Sequence, residues 1–118
     1  MLVKMETGAS SGGESGGSIS SMTMMTQGAT GSTAVSYLSG IPKVSITNTI
    51  TVTKNSGNVT AIRIYSGKPS GTGAVYTLCN VNATTDISSI INDSTYDYVT
   101  LYMSVGAGGT SSVTIDFV

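Results

Sequence analysis

Val44-Ser45-Ile46-Thr47-Asn48-Thr49-Ile50-Thr51-Val52-Thr53 is the stretch that decides the fold class. In extended conformation Val44, Ile46, Ile50 and Val52 fall on one face, and Ser45, Thr47, Thr49, Thr51 and Thr53 on the other. Only Asn48 interrupts the apolar row, which predicts a bulge or a sheet edge at that point. The β-branched residues that dominate the stretch suit a pleated, half-buried surface better than a helix. Lys54-Asn55-Ser56-Gly57-Asn58 follows with the residues of a hairpin turn.

The same period of two continues along the chain. Val59–Ser66 reads as a strand with Ile62 and Ile64 on one face and Val59, Ala61, Arg63 and Tyr65 on the other. Residues 67–73 hold too many breakers for anything but a loop, and a further strand is predicted over about Ala74–Asn80. Tyr96–Val105 places Val99, Leu101 and Met103 inward and Tyr98, Thr100 and Tyr102 outward. Gly106–Gly109 turns the chain, and Val113, Ile115 and Phe117 define a last strand. Asp86–Asn92 is the one helical candidate: Asp86 is a capping residue, and Ile87, Ile90 and Ile91 have i, i+3, i+4 spacing. Short strands divided by turns, with no crossover helix, predict an all-β antiparallel sandwich of jelly-roll or Ig-like type over residues 41–118.

Residues 1–40 read differently. Gly, Ser and Thr dominate them, and a stretch such as 8–18 has almost nothing to bury. Ordering forty residues costs on the order of 40–80 kcal/mol at about 1–2 kcal/mol per residue. The segment is therefore expected to be an extended arm held by surfaces outside itself. Within it Ile19, Met22, Met24 and Met25 form an apolar island, followed by Tyr37 and Leu38, and these are the expected contacts to a partner. Methionine adapts to irregular pockets, which suits such a role. A competing reading makes these residues, Ala34–Leu38 more than the methionines, one or two additional strands of the same domain.

Composition removes most chemistry. The chain has 118 residues, a net charge of −1 and only 9% charged residues, against about 25% in ordinary soluble domains. No basic patch for nucleic acid or an anionic membrane is expected. Histidine is absent, so the commonest general base and metal ligand is missing, and no enzyme activity and no cofactor are expected. Asp93 and Asp97 flank a turn where Ca²⁺ is conceivable, but two solvated turn residues are the favoured reading. Cys79 is the single cysteine, so it forms no internal disulfide and is expected to be a small buried hydrophobe. Met1–Thr7 lacks a sustained apolar core, so no export signal is expected, and the chain is expected to be made and assembled in a cytoplasm. The outward tyrosines, Tyr98 and Tyr102 above all, are the remaining candidates for contact with a protein or a saccharide.

A histidine-free chain of this size, with a Gly/Ser/Thr-rich leader running into Thr-rich strands such as Ser45–Thr53, resembles the small accessory proteins of tailed-phage virions. Those include capsid decoration proteins, head fibres and the β-sandwich ends of tail fibres. The resemblance implies a non-enzymatic structural subunit of a virion, engaged in capsid decoration or stabilisation. Its partners would be other virion proteins and copies of itself, as a homotrimer or on a symmetric lattice. The alternative is a receptor- or carbohydrate-binding β-sandwich module of a fibre, using the tyrosine face or the loops 67–73 and 92–97.

Overall fold

The computed structural model describes residues 2–7 as backbone, and residues 19–69, 71 and 73–118 in full. Nine strands are present among them: β1 (Leu2–Thr7), β2 (Ile19–Gln27), β3 (Ala34–Pro42), β4 (Thr49–Ser56), β5 (Val59–Ser66), β6 (Val75–Cys79), β7 (Ala83–Asp86), β8 (Tyr98–Val105) and β9 (Thr110–Phe117). One sheet runs β1-β2-β9-β4-β7 and the other β3-β8-β5-β6, with every named pair antiparallel. From β2 onward the chain alternates between the sheets, except at the β5–β6 hairpin. That interleaving, β2-β9-β4-β7 over β3-β8-β5-β6, is the two-sheet Greek-key arrangement of a jelly roll rather than an Ig fold.

The core forms where the inward rows meet. Met22 and Met24, Ile50 and Val52, and Val113, Ile115 and Phe117 come from the first sheet. Ile62 and Ile64, Val99, Leu101 and Met103 answer from the second. Ile46, Ile87 and Ile90 plug one end. The helical candidate is real but only one turn long, α1 (Ser88–Ile91). Asp86 steadies its start: Oδ1 accepts from the Ser88 amide at 2.8 Å and from the Ser88 hydroxyl at 2.6 Å.

Three expectations are corrected. Residues 19–40 are not an arm, because β2 and most of β3 lie inside the sandwich. β2 hydrogen-bonds along β9 from Ser21–Asp116 to Gln27–Thr110, and it buries Met22 and Met24 almost completely. Each such side chain contributes about 1.5–3 kcal/mol, which with the ladder offsets the ordering of nine residues. Segment 8–18 of the expected arm lies outside the described residues. Second, no strand runs through Lys43–Asn48. Lys43–Ser45 is a single 3-10 turn, Val44 is 73% exposed, and β4 begins only at Thr49, just past the residue that broke the row. Third, β7 was not foreseen: Ala83–Asp86 has no apolar row and is a strand only through pairing with β4.

The connections segregate. The 28–33, 57–58 and 106–109 turns gather at one end, tied by Gly28 N–H to the Gly109 carbonyl at 2.7 Å and Gly106 N–H to the Asn58 carbonyl at 2.8 Å. The longer segments 43–48, 67–74 and 87–97 gather at the other. The first end is closed and regular. The second holds the irregular backbone from which a site can be built.

Candidate functional site

Strand register assembles a patch that sequence shows only in pieces. Tyr37 of β3 pairs with Tyr102 of β8, Tyr102 with Arg63 of β5, and Arg63 with Leu78 of β6. One row of outward side chains therefore crosses the whole second sheet. In the neighbouring row Tyr65 pairs with Tyr76. The rings pack edge to face: Tyr37–Tyr102 centroids lie 5.4 Å apart at 61°, and Tyr65–Tyr102 6.2 Å apart at 69°. Tyr65 and Tyr76 are tilted at 5.0 Å. The Arg63 guanidinium lies 4.9 Å from the Tyr76 ring centre and 5.0 Å from that of Tyr102, and it donates a long 3.3 Å hydrogen bond to the Tyr65 hydroxyl. Its Nε is buried with no hydrogen-bond partner among the described residues. Pairing within the sheet explains why these rings gather. It does not explain why Tyr37, Tyr76, Leu78 and Val35 remain 43–51% exposed on one continuous face.

A second feature sits at the irregular end. Ser66, Asp93, Thr95, Tyr96, Val75 and Lys68 surround a pocket of about 320 Å³, with Gly71, Gly73 and Ala74 completing it. Its floor is a fixed polar network. Lys43, only 8% exposed, donates from Nζ to the Ser66 hydroxyl at 2.8 Å and to the Asp93 carbonyl. Asp93 Oδ1 accepts from the Thr95 hydroxyl at 2.9 Å and its amide at 3.2 Å. The Ser66 hydroxyl, followed by those Thr95 bonds and the Lys43 charge, holds the Asp93 carboxyl below its ordinary range. The loop above is pinned to β8 through Gly67: its amide bonds the Tyr98 carbonyl at 2.9 Å, and its carbonyl accepts from the buried Thr100 hydroxyl at 2.7 Å. The Tyr96 ring lies directly against Gly67, whose φ of +68° only glycine adopts freely, and meets Tyr98 edge-on at 5.7 Å.

The expected contact residues divide. Ile19, Met22 and Met24 are core side chains of this chain and offer no surface, which corrects their reading as partner contacts. Their adaptability fills the space between the sheets instead. Leu38 packs against the same core. Met25 is half-buried on the outer side of the first sheet, opposite Leu2 and Ser112. Tyr37 and Tyr102 stand together on the patch, while Tyr98 stands apart beside Tyr96. Sequence reading missed Arg63, Tyr76 and Leu78 as contact candidates. Parity had already put Arg63 outward with Tyr65, but only the register shows that Tyr76 and Leu78 extend the same rows.

Cys79 is 2% exposed, and burial pushes its thiol up to about 12. Among the described residues no three His, Cys, Asp or Glu side chains converge as a metal set. No protein family matches this chain, and no curated protein or solved structure matches it.

Proposed function

We propose that this chain is a non-enzymatic structural subunit of a virion, of the capsid-decorating kind, that docks through the outer face of the β3-β8-β5-β6 sheet onto copies of itself. The tyrosine–arginine patch carries the reading. Tyr and Arg are the residues enriched at the energetic centres of protein interfaces, where lysine and the acids are depleted. Here four tyrosines surround one arginine, and no acidic residue stands in either row. The jelly roll is a building block of viral capsids, which supports the assignment at the level of architecture.

The copy as occupant follows from the adjoining edge. β6, Val75-Tyr76-Thr77-Leu78-Cys79, is an edge strand without charge or proline. The other edges are guarded: β3 ends in a bulge and Pro42, β7 is four residues long and ends in Asp86, and β1 carries Lys4 and Glu6. The open edge and the exposed rows are continuous, and two β6 strands can pair antiparallel about a two-fold axis, which makes the surface self-complementary.

Sedimentation velocity over a concentration series tests this. The wild-type chain is expected to associate, and Tyr37→Ser combined with Tyr76→Ser should weaken association by roughly a thousandfold, from about 2 kcal/mol per anchoring side chain. A wild-type chain that stays monomeric throughout the series overturns the reading.

A further inference from the structure

The pocket at the irregular end adjoins the docking edge through Val75, and its chemistry suits a ligand of a different kind. Its lining is more polar than apolar, which disfavours lipids and other greasy molecules. Asp93 is the one carboxylate in the lining, and a single carboxylate is too few for a tightly held divalent cation. A carboxylate has about four lone-pair positions. Thr95 uses part of that capacity at Oδ1, and the remainder can accept from hydroxyl donors entering the pocket. Lys68 stands exposed in the lining as a donor. Tyr96 and Val75 contribute apolar surface beside these polar groups. The Tyr96 ring is already backed by Gly67 and Tyr98, and Lys43 already fixes Ser66, so little ordering is left to be done on binding. A volume of 320 Å³ lies at the lower end of the range for small-molecule sites, about 300–1,000 Å³, and leaves room for a short saccharide.

We propose that this pocket binds a neutral sugar of a glycan, with vicinal hydroxyls donating to the Asp93 carboxylate, Lys68 donating to a ring substituent, and the C–H face of the ring against Tyr96 and Val75. The site shares only Val75 with the docking edge, and its other lining residues lie outside β6.

The test is a titration of the full ¹⁵N-labelled chain with glucose, galactose, mannose, N-acetylglucosamine and disaccharides of these, alongside glucuronic acid. The expected result is saturable perturbation of the Ser66, Gly71, Gly73 and Thr95 amides by at least one neutral sugar, with no tighter binding of glucuronic acid. Asp93→Asn should weaken the neutral sugar at least tenfold. Because Asp93 also holds Thr95, Ala74→Trp serves as a second variant: it fills the pocket, leaves the Lys43–Ser66–Asp93 network untouched, and should abolish binding with the rest of the spectrum unchanged. Silence of the pocket amides toward the whole panel overturns the proposal. So do binding that survives both variants, a preference for the acidic sugar, or perturbations confined to the tyrosine patch. Sedimentation reads self-association independently, so the failure of one proposal is not mistaken for failure of the other.

Discussion

Met24 shows how a residue's neighbours decide its role. In sequence it belongs to a methionine-rich island beside a glycine-rich stretch, and an adaptable contact to a partner is the natural reading. In the fold it pairs with Val113 across the ladder and is fully buried. Met24→Ala should therefore destabilise the isolated chain by about 2–5 kcal/mol in urea denaturation, the cost of losing a buried side chain and leaving a cavity. A contact residue would cost the free chain almost nothing. At the same scale, Asp86 and Asp93 titrate below their ordinary value, Asp86 because of the Ser88 hydroxyl and then its amide, and Asp93 because of Ser66 and then Thr95. A carboxylate with a depressed folded-state pKa contributes its stability above the unfolded value, about 3.9, and loses it as pH falls through the folded value. Stability should thus be flat through neutral pH and fall below about pH 4. Asp86→Asn with Asp93→Asn should shallow that acid limb in a pH series of thermal melts, leaving its neutral plateau lower than that of the wild type.

Strands were legible where one face is apolar and the other polar. β5, β8 and β9 lie where the alternation put them, and Val99, Leu101, Met103, Val113 and Ile115 are all fully buried. β7 was illegible because Ala83-Thr84-Thr85-Asp86 holds no apolar row; its extended form comes from β4 across the ladder. β2 was obscured by the glycine-rich company it keeps, although Met22 and Met24 already showed the period of two. This position sets the outcome of truncation. Removing residues 1–18 spares β2 and should leave a folded sandwich by circular dichroism. Removing residues 1–30 takes away β1 and β2 together with three core side chains, Ile19, Met22 and Met24, and should give an unfolded chain. The two truncations also separate contributions to assembly from contributions to folding. Loss of incorporation by the shorter truncation alone would assign 1–18 an external partner.

The whole molecule was legible as a sandwich, but its strand order was not. Jelly-roll and Ig-like chains share the same run of short alternating strands, and the difference lies in which distant strands pair: β2 with β9 and β3 with β8. No local pattern encodes those pairings. The candidate surfaces were hidden for the same reason. Tyr37, Arg63, Leu78 and Tyr102 come from four separate strands, and the pocket joins Lys43, the 67–74 loop and the 93–96 turn. At this scale self-association makes a prediction of its own. Because binding between copies stabilises the folded state by mass action, Tm should rise with protein concentration. Leu78→Lys, which puts a charge on the open edge at a position 51% exposed, should remove that dependence while leaving Tm at low concentration unchanged. A wild-type Tm that is indifferent to concentration would argue for a monomer.

The lone sulfhydryl has a practical consequence. Sealed inside the sandwich and protonated at any physiological pH, Cys79 is invisible to maleimides and iodoacetamides. Any cysteine introduced elsewhere would take up a dye or nitroxide alone. Pulsed-EPR or energy-transfer rulers between copies in a particle can therefore be mounted on the native background, with no thiol-free parent to build first.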